Sequence, residues 1–241
     1  MINKSISVFL PTFNEQENIK NCITSIKKYL NKNFMDYEIL IISDGSNDDT
    51  EKIVNEIIAR DSHVKLFARN KKLGYGAALR SGFAHSTKEL IFYTDSDNQF
   101  NIESMDLLLP LIKTYDLISG FRIKREDPLM RIFIGNVYNL IIRMLFNIQI
   151  RDIDCSFKLF KKKVFKDITL KSNTGLIDAE VLIKAKKKGF KIGQIGVPHY
   201  PRLKGTTTYE IGNRNKIFAF VRPQVIFGVL AEIKNLWSDL R

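Results

Sequence analysis

Residues 90–99 read LIFYTDSDNQ: five strand-forming residues, Leu90 to Thr94, run straight into Asp95, Ser96, Asp97, Asn98 and Gln99. Side chains two apart on an extended chain point the same way, so Asp95 and Asp97 converge on one point. Two carboxylates at the end of a buried apolar strand are costly unless something neutralises them. A hard divalent cation, bound through oxygen and bridged to substrate phosphates, does so; this points to Mg2+ or Mn2+, with Gln99 as a further oxygen ligand or water holder. The competing reading is a solvated turn, since Asp-x-Asp is a common turn sequence.

Working outward, apolar runs at 6–10, 37–43, 64–68 and 116–119 share this strand-like composition, and helical three-and-four spacing fills 15–30, 48–60, 77–85 and 102–112. Asn14 followed by Glu17 is an N-cap signal for the first helix. The alternation predicts crossover units and an α/β fold with a mostly parallel sheet. Ligands of such sheets bind beyond the carboxyl ends of the strands, where the aspartates stand. After residue 120 the pattern changes to a long apolar segment at 128–150, a short strand and turn at 156–168, a helix at 178–188 and a strand at 191–197. A Pro/Gly/Thr-rich loop at 198–209 and a helical stretch at 211–236, interrupted by Pro223, complete the chain. No repeat or linker divides it, so the expected organisation is a catalytic unit at 1–210 with an amphipathic helical extension at 211–241.

The 241 residues are 44% hydrophobic and 27% charged, the balance of a folded globule and not of a disordered tail. Cys22 and Cys155 alone exclude a disulfide scaffold. Residues 1–10 show no signal peptide and no stretch reaches the ~18 uncharged apolar residues of a spanning helix, so a cytoplasmic location is expected. His63, His85 and His199 make no metal-ligand pattern. The formal charge of +12 admits a nucleic-acid binder. That reading gives the carboxylates at the sheet edge no role, and no nucleic-acid partner is expected.

The other strand ends carry complementary chemistry. The first strand runs into Pro11, Thr12, Phe13, Asn14 and Glu15, and the second into Ser43, Asp44, Gly45 and Ser46. Glycine beside short polar side chains lets backbone approach a planar ligand, with Asp44 accepting from a base N–H and Glu15 holding ribose hydroxyls. The alternative is helix capping by Ser46 or Asp48. After the third strand, Lys71, Lys72, Leu73, Gly74, Tyr75 and Gly76 bring charge and small residues to a helix entrance, which suits a phosphate. This is no dinucleotide fingerprint, because Leu79 stands where the third glycine would be.

In order and spacing, PTFNE at 11–15, DGSNDDT at 44–50, LGYGAALRSGF at 73–83, DSDNQ at 95–99, DCSFKLF at 154–160 and PRLKGTT at 201–207 resemble the family 2 glycosyltransferases. The likeness covers about residues 5–210 and is nearest to the branch of dolichol-phosphate mannose synthase and polyprenyl-phosphate glycosyltransferases. It implies a GT-A fold and metal-dependent, inverting transfer of a sugar from a UDP- or GDP-linked donor to a polyprenyl or dolichyl phosphate, with Mg2+ or Mn2+ as cofactor. It assigns Pro11, Phe13, Glu15 and Asp44 to the nucleotide, with Lys72, Gly74, Asp95 and Ser96 completing the donor site. Asp95, Asp97 and Gln99 fall to the metal. Arg202 and Gly205 match a loop closing over the diphosphate, with Thr207 where serine is usual. Asp178 and Glu180 match an acidic pair below the acceptor site, a base if the acceptor is a sugar or protein hydroxyl. Ser43 replaces the first aspartate of Asp-Asp-Gly-Ser, and Ser156 replaces a glycine of Cys-Gly-Phe.

Arg122, Lys124, Arg125 and Arg131 cluster after the fifth strand, and arginine forks suit phosphate oxygens. In the resembled branch this region meets the acceptor's lipid phosphate, which makes Arg122 and Arg131 the candidates for it; the alternative is a solvated basic face. Between 132 and 150, polar residues fall at Asn136, Asn139, Arg143 and Asn147, one narrow stripe on an apolar helix. Such a helix needs an apolar partner, which is the core, a second copy of the chain or the bilayer interface. The last would make the protein peripheral to the cytoplasmic membrane face.

Overall fold

Seven strands form one sheet in the computed structural model, which describes residues 2–125, 129–202, 204–205, 210–211, 220–221 and 223–241. They are β1 (Ile6–Thr12), β2 (Tyr37–Ser43), β3 (Val64–Ala68), β4 (Leu90–Tyr93), β5 (Leu117–Ile123), β6 (Lys158–Lys161) and β7 (Ile192–Pro198). Their order is β3-β2-β1-β4-β6-β5-β7, with β6 antiparallel to both neighbours and the other pairings parallel. Every residue of β1, β2 and β4 is buried, as continuous apolar runs require when helices cover both faces of a sheet.

Pleat alternation sorts β1 into two cores. Ile6, Val8 and Leu10 face α1 (Ile19–Asn33), α2 (Thr50–Ile58) and α4 (Met105–Leu108), while Phe9 faces α3 (Tyr75–His85), α5 (Leu129–Phe146) and α6 (Leu176–Lys187). The helices α7 (Pro223–Asn235) and α8 (Trp237–Leu240) add Ile233 and Leu240 to the second core.

Two local expectations are corrected, and the long apolar helix is placed. The first helix begins at Ile19, because Asn14 is spent elsewhere: at φ 55° it donates to Asn47 Oδ1 (2.6 Å) and accepts from Asn47 N (2.9 Å), tying the first two strand-end loops together. The stretch 211–236 is not helical throughout: β8 (Glu210–Ile211) and β9 (Phe220–Val221) pair antiparallel, and the helix starts at Pro223, a first-turn position proline favours. In α5 one residue of the polar stripe is buried, while Asn136 is exposed. Asn139 is buried and accepts from Ile153 N (3.0 Å), whereas Phe133 and Met144 are 64% and 75% exposed. The apolar face of this 18-residue helix, long and apolar enough by length and composition to cross a membrane, looks outward.

Candidate active site

The loops leaving β1, β2 and β4 and the entrance to α3 meet above the sheet. Gly45 holds φ +74°, and a Cβ there would lie 2.7 Å from the backbone of Lys71 and Lys72, so only glycine lets the two loops interlock. Asp44 beside it accepts from Arg69 Nη1 (2.8 Å) and Leu73 N (3.0 Å) on Oδ1, and from Gly74 N (2.8 Å) on Oδ2. The Lys72 ammonium stands 3.6 Å from the centroid of the Phe13 ring. Ser96 Oγ donates to Pro11 O (3.1 Å), stitching the β4 loop to β1. All eight residues assigned to the donor nucleotide thus lie along this linked set of loops, Glu15 and Asp95 included.

At its centre, Arg202 Nη2 reaches both oxygens of Glu15 (2.7 and 2.8 Å) and Nη1 reaches Asp97 Oδ2 (3.4 Å). Burial pushes the Asp95 carboxyl up to about 7, with the neighbouring Asp97 charge adding to it and the Ser156 hydrogen bond opposing it. Burial likewise raises Asp97, against the lowering charges of Arg202 and Arg131. Glu15 is raised too, chiefly by burial, despite its bonds to Asn18 and Arg202.

Excess negative charge withdrawn from water, on oxygen ligands alone, fits a hard divalent cation. Among the described residues no three His, Cys, Asp or Glu side chains gather as a complete cage, so a cation here takes its remaining ligands from a diphosphate or water. Gln99 also ties the 199–202 loop to Asp97: its Nε2 donates to Tyr200 O (3.1 Å) and its backbone N to Asp97 Oδ1 (3.1 Å). Gly205, at φ +72°, packs against Arg202, and Thr207 lies outside the described residues.

The acidic pair is placed differently from its expected role as a base. Asp178 accepts on Oδ1 from Lys158 Nζ (2.6 Å) and from the Tyr93 hydroxyl and is 3% exposed, a counter-ion to a buried ammonium. Glu180 is fully buried and accepts from Lys171 N (2.9 Å), Ser172 N (2.8 Å) and Lys184 Nζ (2.8 Å). It clamps the 171–174 loop, which packs under Gly76 through Gly76 N to Asn173 O (3.0 Å). Arg122 is forked onto Asp152 through Nε and Nη2, both at 2.7 Å, which anchors the turn before β6. Arg131 stays near the aspartates, lowering both carboxyls by its charge.

Sequence reasoning missed four groups. Arg69 holds Asp44. Glu232 on α7 accepts from Asn173 N (2.8 Å) and Thr174 Oγ1 (2.8 Å), supporting the same loop as Glu180. Lys158 is 1% exposed; a lone lysine in the apolar run Phe157–Phe160 was the available signal. Asp154, in that turn, is pushed up to about 7 by burial and then by the charges of Asp178 and Asp152.

A family profile described as Glycosyl transferase family 2 matches residues 7–169. The chain belongs to glycosyl transferase family 2. Among curated relatives of this family 2 chain, the glycosyltransferase AglD of Haloferax volcanii is 26% identical over 98% of this chain and 37% of its own. The dolichyl-phosphate beta-glucosyltransferase ALG5D of Trichomonas vaginalis is 28% identical over 80% of this chain and 64% of its own. The chain therefore spans less than two thirds of the length of these relatives. A solved glucosyl-3-phosphoglycerate synthase from Mycobacterium tuberculosis superposes with a TM-score of 0.66 at 19% identity, covering 84% of this chain and 74% of that one. That likeness establishes the GT-A fold, and the family establishes a glycosyltransferase.

Proposed function

We propose that this family 2 enzyme transfers a sugar from a uridine diphosphate donor to a polyprenyl phosphate at the cytoplasmic membrane face, with Mg2+ or Mn2+ at Asp95 and Asp97. The observation that carries the acceptor is the state of the acidic pair. Asp178 and Glu180 are both committed to structural bonds, and an acceptor phosphate, already anionic, needs no base to take a proton. The relatives named dolichyl-phosphate glucosyltransferases support the same class.

Hydrogen-bond capacity supports the uridine donor. A carboxylate offers about four acceptor directions, and Asp44 uses three of them, both on Oδ1 and one on Oδ2. One direction remains. Uracil presents a single ring N–H, whereas guanine presents two adjacent donors that ask for both oxygens. The structural neighbours solved with UDP and Mn2+ agree with this choice.

A divalent cation bound here supplies charge that offsets the leaving diphosphate. Arg202, poised between Glu15 and Asp97, and Lys72 on Phe13 add positive charge at the same place. Glu15 meets the ribose, and Arg131 faces the acceptor phosphate. The apolar face of α5 looks outward and ends at Phe146, whose ring lies 5.6 Å from that of Trp237 at the start of α8, and Phe227 and Leu230 of α7 are exposed as well. This face, on a chain of net charge +12, suits an anionic bilayer surface.

Asp154 favours a second reading, a hydroxyl acceptor with this carboxyl as base, because a pKa near neutrality suits that task. A thermal-shift panel tests the donor: UDP with Mn2+ is expected to raise the melting temperature where GDP with Mn2+ does not. Asp154→Asn tests the acceptor. With a phosphate acceptor it loses far less activity than Asp97→Asn; equal collapse of the two establishes the hydroxyl reading instead. Co-sedimentation with anionic vesicles tests docking, and Phe133→Asp is expected to abolish it.

A further inference from the structure

The turn before β6 reaches the candidate cation site from the side opposite the nucleotide loops. Ser156, 3% exposed, donates from Oγ to Asp95 Oδ2 at 2.5 Å. The other oxygen, Oδ1, has a longer neighbour, the Tyr75 hydroxyl at 3.4 Å. The two oxygens are therefore unequal: Oδ2 holds a short bond to a buried hydroxyl, and Oδ1 only the long one to Tyr75.

What holds Ser156 in place lies one layer below. Lys158 Nζ reaches Cys155 O (2.5 Å), Ile153 O (2.9 Å), Tyr93 Oη (2.9 Å) and Asp178 Oδ1 (2.6 Å), and the Tyr93 hydroxyl in turn donates to Asp178. An ammonium withdrawn from water has to gather such acceptors, and two of those gathered are carbonyls of the turn itself. Asn139 receives Ile153 N from the α5 side, and Gly120 N donates to Phe157 O at 2.9 Å. The turn is thus pinned on both flanks, and Tyr93, two residues before Asp95 on the same chain, shares its anchor.

We propose that Ser156 is a positioning residue for the cation: its hydroxyl occupies Asp95 Oδ2 so that Oδ1 is the oxygen presented, and Lys158 fixes the turn from which Ser156 projects. This rests on the reading of Asp95 and Asp97 as cation ligands. Outer partners that orient a ligating group commonly alter metal affinity by roughly 10–100-fold when removed. Among the described residues the Ser156 hydroxyl bonds Asp95 alone, and the backbone of the turn is held by Lys158, Asn139 and Gly120.

The test is titration of Mn2+ into the protein with saturating UDP, following free Mn2+ by electron paramagnetic resonance. Ser156→Ala is expected to weaken Mn2+ binding about tenfold or more, while its melting temperature without metal stays at the wild-type value. Ser156→Cys keeps the volume with a weak donor and is expected to weaken binding as well, so a poorly folding alanine variant does not end the test. Wild-type Mn2+ affinity in either folded variant overturns the positioning role and leaves the cation reading standing. A wild-type protein that retains no Mn2+ under these conditions overturns both.

Discussion

Glu38, Asp61 and Asp116 lie below the sheet, where its parallel strands begin; Glu15, Asp95 and Asp97 lie above it, where they end. Both sets are withdrawn from water, and burial alone raises every one of these carboxyls. Below the sheet that rise is overcome. Glu38 accepts from Lys65, Ser7 and Thr87, Asp61 from Lys27 and His63, and Asp116 from Lys161 and Lys191 with Lys163 close by, which brings each to about 2. Above the sheet the rise stands, and Asp95 reaches about 7. One end of the sheet has satisfied its acids for stability; the other has left them short of positive charge, which is what a site for a cation and a diphosphate requires.

Substitution separates the two ends. Asp97→Asn is expected to cost roughly a hundredfold or more in kcat without lowering the melting temperature of the ligand-free protein, because it removes a charge that burial penalises. Steady-state kinetics beside a thermal melt reads both, and a large loss of stability would break the contrast. Glu38→Gln is expected to do the reverse. It weakens the acceptor of four donor groups on three residues at a cost of about 1–3 kcal/mol, each kcal/mol being worth roughly 2–4 °C for a chain of this size, while kcat/KM stays at the wild-type value.

The same contrast has a sign in pH. Acids held at about 2 contribute stability that is complete above the unfolded value near 4 and is lost as pH falls from there toward 2. Asp95, raised to about 7, binds its proton more tightly in the native state, so its contribution declines as pH rises from about 4 to 7. Melting temperatures across this range are expected to fall at the acid end, and to fall gently toward neutrality unless Mn2+ and UDP are present. The smallest effect concerns Glu232, which lies near the site but acts through the 172–174 loop under Gly76. Glu232→Gln is expected to raise the KM for donor a few-fold with little change in kcat.

Much of the upper edge was legible in the chain. The strand at 90–93 and the glycines at 45 and 74 follow from short-range rules of pleat and turn, and Asp95 and Asp97 follow that strand closely enough for their charges to interact. The roles of Asp178 and Glu180 were not legible, because an acid at a helix start looks the same whether it faces substrate or a buried lysine. The bond from Gln99 to Tyr200 O, a partner 101 residues away, was not legible either.

The amino-acid order by itself determined the alternating elements, the parallel sheet and the loops that carry the chemistry, since periods of two and three to four are local properties of the chain. Only the tertiary structure decided which carboxylates are neutralised and which stay raised by burial, that Ser156 meets Asp95 from 61 residues away, and that α5 buries Asn139 against the turn before β6 while its apolar face looks outward. Those outcomes depend on which distant groups share one low-dielectric space, and charge compensation there is a property of the assembled neighbourhood.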